Sequence, residues 1–85
     1  MERNEILERV QNIFRNVFDN ERLIINDNTI VDYSTPTNEI EEWDSLEQIN
    51  LLVEMESEFE IKFPMKRVVG LRNVGEMIDL ILELI

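Results

Sequence analysis

Apolar residues at Ile6, Leu7, Val10, Ile13, Phe14, Val17 and Phe18 recur at steps of three and four. That spacing lays them on one face and predicts a first amphipathic helix over about residues 3–18, with Asn4 or the residues just before it placed to cap its start. The period then lapses. Residues 19–43 are rich in Asn, Asp, Ser and Thr, contain Pro36 and sustain no repeat, so they read as a long connection with room for one short helical turn. Structureless connections of roughly 25 residues are uncommon in compact domains. Leu23, Ile24, Ile25, Ile30 and Val31 are expected to pin this one to the core. A second helix is predicted over about residues 45–59, with Asp44 as N-cap and Glu47 where a capping-box acid returns the bond. Pro64 closes the short stretch after this helix, residues 65–69 read as a short third helix or turn, and Gly70 breaks it. Asn73 and Glu76 repeat the capping pattern ahead of a last amphipathic helix carrying Val74, Met77, Ile78, Ile81, Leu82 and Ile85. The expected architecture is all-α: a small antiparallel bundle of three main helices plus a short third helix, with a long loop between helices 1 and 2. Its 85 residues fit one domain, 1–85, and leave no room for a second.

The second helix carries more apolar positions than one buried face needs. At about 100° per residue, Leu51, Leu52, Met55 and Phe59 fall together as a core stripe. Leu46, Ile49 and Val53 form another group on the side of Ser45, and Glu47, Glu54 and Glu58 lie roughly opposite. The combined arc is wider than a single packed face requires. Two arrangements account for it: contact with two neighbouring helices, or a partner-facing patch of Leu46, Ile49 and Val53 bordered by acids. Ser45 likewise has two readings. Ser is common at helix starts because it satisfies free N–H groups. With Asp44 already suited to the cap, however, its hydroxyl is left in the first turn, where an attached phosphate would sit near the positive helix end.

Composition narrows the chemistry. The net charge of -11, from 19 acidic and 8 basic residues, argues against nucleic acid and anionic membranes as partners and for basic protein surfaces. Acidic chains can be disordered, but a periodic hydrophobic fraction of 44% favours a folded domain. There is no Cys and no His, which removes disulfides, thiolate metal sites, the usual general base and the commonest nucleophile pairs. An independent enzyme is not expected, nor a metal site. The stretch 27–38 has acids but lacks the alternating ligands, central Gly and final Glu of a calcium loop. The first residues lack the apolar run of a signal peptide, and no run is long enough to cross a bilayer. The expectation is a soluble cytoplasmic protein.

Three stretches carry a resemblance: Asp44-Ser45-Leu46 opening the second helix, the run 46–64 with Phe59, Ile61 and Pro64 in order, and residues 73–85 as the last helix. Together, and with the long first loop, they resemble the acyl carrier protein family across nearly the whole chain. The resemblance implies that Ser45 carries 4'-phosphopantetheine through a phosphodiester, added from coenzyme A by a phosphopantetheinyl transferase. The arm's thiol then holds an acyl group as a thioester, so the chain needs neither Cys nor His of its own. It also implies that the second helix is the recognition helix. Asp44 would assist the transferase near its metal ion. Glu47, Glu54 and Glu58 would meet Arg or Lys on acyl- or aminoacyl-loading enzymes and on downstream transferases or synthases with basic docking surfaces. Leu46, Ile49 and Val53 would make the apolar contact, and Leu51, Met55 and Phe59 would line the interior. A monomer serving a fatty-acid, polyketide or other specialised pathway is expected.

One position departs from the family pattern. Where carriers commonly have Gly two residues before the Asp, this chain has Glu42, followed by Trp43. Gly tolerates backbone angles that Glu resists, so the loop is expected to meet the helix differently, with Trp43 packed beside the arm or across the loop. The departure points away from the main fatty-acid carrier of a cell and toward a dedicated pathway. An aminoacyl or peptidyl carrier would share the fold and the arm. An unmodified helical interaction module would share the fold alone.

Overall fold

The computed structural model of the chain describes residues 1–31 and 45–85, with residues 45–47 described by their backbone alone. Its elements run α1 (Arg3–Val17), α2 (Ser45–Phe59), α3 (Met65–Val68) and α4 (Val74–Leu84). Among the described residues the fold is all-α, with one isolated bridge between Ile30 and Asn73. α2 has the expected bounds, and α1 and α3 each end one residue early. The expected helical turn within 19–43 is absent from the described part, residues 19–31, and the rest of that connection, Pro36 included, lies outside the described residues.

α1 buries Ile6, Val10, Ile13 and Phe14, the face its periodicity marks, and packs against both α2 and α4. Leu51, Met55 and Phe59 of α2 and Val74, Met77, Ile78, Leu80 and Ile81 of α4 complete one apolar core, in which no described polar side chain is buried. The N-cap of α1 falls among the residues just before Asn4, the second of the two expected placements, but without a side-chain cap. Glu2 is its N-cap and makes no side-chain bond, and Asn4 lies within the first turn. The start of α1 is instead anchored by Arg3. Its guanidinium donates to Asp27 Oδ2 at 3.2 Å, to the Gly75 carbonyl at 3.1 Å and to Asp79 Oδ1. These partners hold Arg3 even further above its ordinary pKa, the bond to Asp79 being the largest cause.

The long connection is positioned by backbone bonds more than by its side chains. Arg15 Nε donates to the Leu23 carbonyl at 2.8 Å, and the Ile25 N–H donates to Gln11 Oε1 at 3.0 Å. The Val31 N–H donates to the Arg72 carbonyl at 3.0 Å. Of the residues expected to pin the loop, Ile25 and Val31 are buried and Leu23 is half-buried. Ile24 is 76% exposed and Ile30 is exposed as well, against expectation. Of two adjacent residues on backbone lying across a surface, only one can face that surface.

The first three N–H groups of α4 all find partners outside the helix ladder. Asn73 Oδ1 accepts the Glu76 N–H at 2.8 Å, as the capping pattern predicts. The Glu76 carboxylate returns to the Arg72 N–H at 2.7 Å, one residue earlier than a capping box would. The Val74 N–H donates to Thr29 O at 3.0 Å and the Gly75 N–H to Asp27 O at 2.9 Å. Gly75 suits this approach, because an added Cβ would stand 3.1 Å from the Asp27 carbonyl oxygen. Further along, Leu82 and Ile85 are exposed and Leu80 is buried, which corrects the expected stripe. Leu80 shares a cleft wall with Leu71 and so faces the segment around α3, a neighbour that the wheel of α4 alone does not reveal.

Both α1 and α2 end on an acidic residue in the left-handed region, Asp19 at φ 51° and Glu60 at φ 54°. The Asn20 N–H donates to Arg15 O at 2.9 Å and the Ile61 N–H to Glu56 O at 3.1 Å, closing the same six-residue cap at each end. Glycine is the usual residue there, since other side chains meet a steric penalty. A carboxylate also faces the negative end of the helix. We expect Glu60→Gly to stabilise the protein by about 1 kcal/mol, the relief exceeding the added chain entropy of Gly. Urea unfolding with an unchanged slope would measure it. A lowered midpoint would show that Glu60 contributes a contact that outweighs its backbone strain.

Candidate functional site

The site suggested by the sequence begins where α2 begins. Ser45 is the first helical residue of this fifteen-residue element, so the backbone N–H groups of the first turn, which carry the positive end of the helix dipole, gather around its position. Asp44, Glu42 and Trp43 lie outside the described residues, and with them the expected Asp44 cap and the altered approach to the helix. The side chains of Ser45, Leu46 and Glu47 lie outside them too, and the described part of the candidate site runs from Gln48 onward.

From there α2 separates into two apolar faces with different fates. Leu51, Met55 and Phe59 are buried, and Leu52 is half-buried against the core. Ile49 and Val53 are 59% and 54% exposed. They stand four residues apart, one above the other on the same helix face. The wide arc is therefore not consumed by a second neighbouring helix at these two positions. Glu54 is exposed and makes no ion pair among the described residues. Glu58 differs: its Oε2 accepts from Arg9 Nη1 at 3.0 Å, with both side chains partly exposed, and Arg9 also approaches Glu5 at 3.9 Å. This pair ties the second half of α2 to α1. Below it, the Glu56 carboxylate accepts the Phe63 N–H at 2.7 Å and draws the chain after α2 back against the helix.

Among the described residues, open clefts lie elsewhere, one of about 340 Å³ bordered by Lys66, Arg67, Leu71, Glu76, Asp79 and Leu80, another at the end of α1. No α2 residue borders either. No group of carboxylates able to hold a metal ion occurs among the described residues. No described helix is long and apolar enough to cross a membrane. Sequence periodicity passed over Met65 and Val69, which are exposed on and just after α3, because a four-residue helix is too short to display a period.

A phosphodiester-linked arm fits what this position offers. It needs a hydroxyl for the ester bond and a setting that favours the phosphate's charge, and Ser45 at the start of a long helix has both.

Comparison with known proteins places this geometry in context. A family model described as "Phosphopantetheine attachment site" matches residues 8–81. The chain is similar to the solution NMR structure of holo acyl carrier protein from Geobacter metallireducens, at 35% identity over 92% of this chain and 83% of that one, with a TM-score of 0.78. No curated protein matches.

The two faces of α2 should respond differently to truncation. We expect Leu51→Ala or Met55→Ala to destabilise the fold by about 2–5 kcal/mol, the usual range for a buried large side chain. Val53→Ala should remain within about 0.5 kcal/mol, as surface substitutions do. Denaturant midpoints of the three variants test this. A Val53→Ala cost comparable to that of Leu51→Ala would mean that the exposed face is packed in solution.

Proposed function

The chain belongs to the phosphopantetheine-attachment family of acyl carrier proteins, and on that premise we propose that Ser45 bears the arm and that α2 presents the cargo to enzymes of a specialised biosynthetic pathway. Carriers of this type are not enzymes. They work with a phosphopantetheinyl transferase and with biosynthetic enzymes, and the covalently attached phosphopantetheine supplies a terminal thiol able to hold a cargo as a thioester. The observation that carries the assignment of Ser45 is that α2 starts at this residue, inside the matched region and within Asp44-Ser45-Leu46.

In this reading the roles divide along α2. The Ser45 hydroxyl forms the phosphodiester, whose negative charge is favoured by the first-turn N–H groups. Asp44 assists the transferase. Ile49 and Val53, already exposed, make the apolar contact together with Leu46. Glu47 and Glu54 attract basic partner surfaces, raising the encounter rate more than the final affinity. Glu58 joins them with its open side while Arg9 holds the other. Leu51, Met55 and Phe59 keep the helix seated on the core, so that a partner pulling on the exposed face meets a rigid element. The cargo is an acyl group, residues 1–85 act as one carrier domain, and the protein is a cytoplasmic monomer. Glu42 in place of Gly supports a dedicated pathway over general fatty-acid synthesis.

Intact mass after incubation with coenzyme A, magnesium and a broad-specificity phosphopantetheinyl transferase tests the site. The expected result is a gain of one phosphopantetheine on the natural chain and none on Ser45→Ala, with both folded by circular dichroism. Arm uptake by the alanine variant would sink the assignment. For docking, Val53→Arg and Glu47→Lys should lower turnover with the cognate loading enzyme about tenfold or more, mostly through slower association. Their unfolding midpoints should stay near that of the parent. Undiminished turnover would count against α2 as the docking element.

A further inference from the structure

Positive charge is unevenly placed along this acidic chain. Residues 61–75 hold Lys62, Lys66, Arg67 and Arg72, half of the eight basic residues, and none of the 19 acids. Lys62, Met65, Lys66, Val69 and Arg72 are all exposed, Met65 at 63% and Val69 at 49%. Met65 and Val69 are four residues apart around one helical turn and share a side of α3, with Lys66 next to them.

Three of the neighbouring acids are already engaged, while Glu60, two residues before Lys62, is exposed and makes no ion pair among the described residues. Glu83 pairs with Arg67, Asp79 with Arg3, and the Glu76 carboxylate accepts the Arg72 N–H. Among the described residues, Lys62, Lys66 and the Arg72 side chain make no ion pair. The result is three exposed bases without an ion pair among the described residues, on the same stretch of chain as two large exposed apolar side chains. Solvated lysines alone would need no explanation, but exposed apolar groups ringed by charge mark contact surfaces.

We propose that residues 61–75 form a second docking surface, for a partner protein that presents acidic side chains around an apolar centre. Its polarity is opposite to that of the α2 face. The two surfaces would therefore sort partners by charge, since like charges across an interface suppress the wrong one. The rest of the molecule argues for a compact protein patch over an extended polyanion. The chain carries net charge -11, and all 19 of its acids lie outside this stretch. A nucleic acid or an anionic membrane running past the basic stretch would meet the acidic faces as well. A protein patch interacts within about one Debye length, roughly 8 Å at physiological ionic strength, and experiences mainly the local sign. Met65 and Val69 likewise suit an apolar protein contact and not a phosphate backbone.

The surface lies outside the arm-attachment residues, so its failure is separable from failure of the carrier reading. The probe is a synthetic peptide of alternating Glu and Leu, titrated into arm-loaded, nitrogen-15-labelled protein and followed by amide chemical shifts. The comparators are a Lys and Leu peptide, phosphatidylglycerol vesicles and duplex DNA. The expected result is that the acidic peptide shifts amides of residues 61–75 and weakens as salt rises. A Lys62→Glu/Lys66→Glu/Arg72→Glu variant should bind it about tenfold more weakly, the sum of several exposed charge contacts. Its arm uptake at Ser45 should match the parent. Met65→Ser/Val69→Ser, which keeps the charges, should also bind more weakly. Shifts confined to other regions, or binding that survives the triple reversal, would overturn the proposal. So would tighter, stretch-dependent binding to vesicles or DNA, or a stretch-dependent dimer in sedimentation, which would assign the surface to a membrane, to nucleic acid or to a second copy of the chain.

Discussion

The first backbone N–H groups of α4 have no partners within their own helix, and the way they are satisfied organises the rest of the bundle. Thr29 and Asp27 offer carbonyl oxygens to Val74 and Gly75, while Asn73 caps Glu76. Asp27 also turns its carboxylate to Arg3, and the same guanidinium reaches the Gly75 carbonyl and Asp79. The start of α1, the long connection and the start of α4 are thereby joined at one place. A long loop that would otherwise cost conformational entropy without return is used as a cap.

Joining the loop to α1 and α4 has a consequence for α2. Gln11 and Arg15 of α1 and Arg72 beside α4 hold the described part of the connection. α2 is seated by its own core stripe and by the Arg9–Glu58 pair. Its opposite apolar pair, Ile49 and Val53, is left facing water. The residues that seat the helix are thus distinct from the exposed pair to which the partner contact is assigned in the proposal above. This suits a carrier, which must offer the same element to several enzymes without unfolding.

Electrostatics obey the same division. The bases on α1 are spent internally, Arg3 on Asp27 and Asp79, Arg9 on Glu5 and Glu58, and Arg15 on the Leu23 carbonyl. These contacts offset part of the self-repulsion of a strongly acidic chain. Apart from Arg22, the remaining bases all lie beyond Glu60, where the chain contains no acid until Glu76. Charge along this carrier is therefore uneven, with a basic stretch set against an otherwise acidic chain.

Much of the fold was legible in the residues themselves. The bounds of α2, the period of α1 and the Asn73 cap are local properties, set by side-chain type at helical spacing and by a short oxygen acceptor ahead of it. The start of α2 at Ser45 was likewise legible because a helix start is a local feature. Other features depended on neighbours distant in sequence. A helical wheel gives the angle of Ile49 relative to Leu51 but not the side on which α1 will lie, so burial of one and exposure of the other waited for the packing. Ile24 and Ile25 are chemically identical, and only the path of the loop decided which one enters the core. The carbonyls of Asp27 and Thr29 cap α4 as backbone groups that every residue possesses, so no side-chain pattern announces them. Nothing local marks Arg3 as an anchor, because Asp27, Gly75 and Asp79 come within its reach only through the tertiary fold.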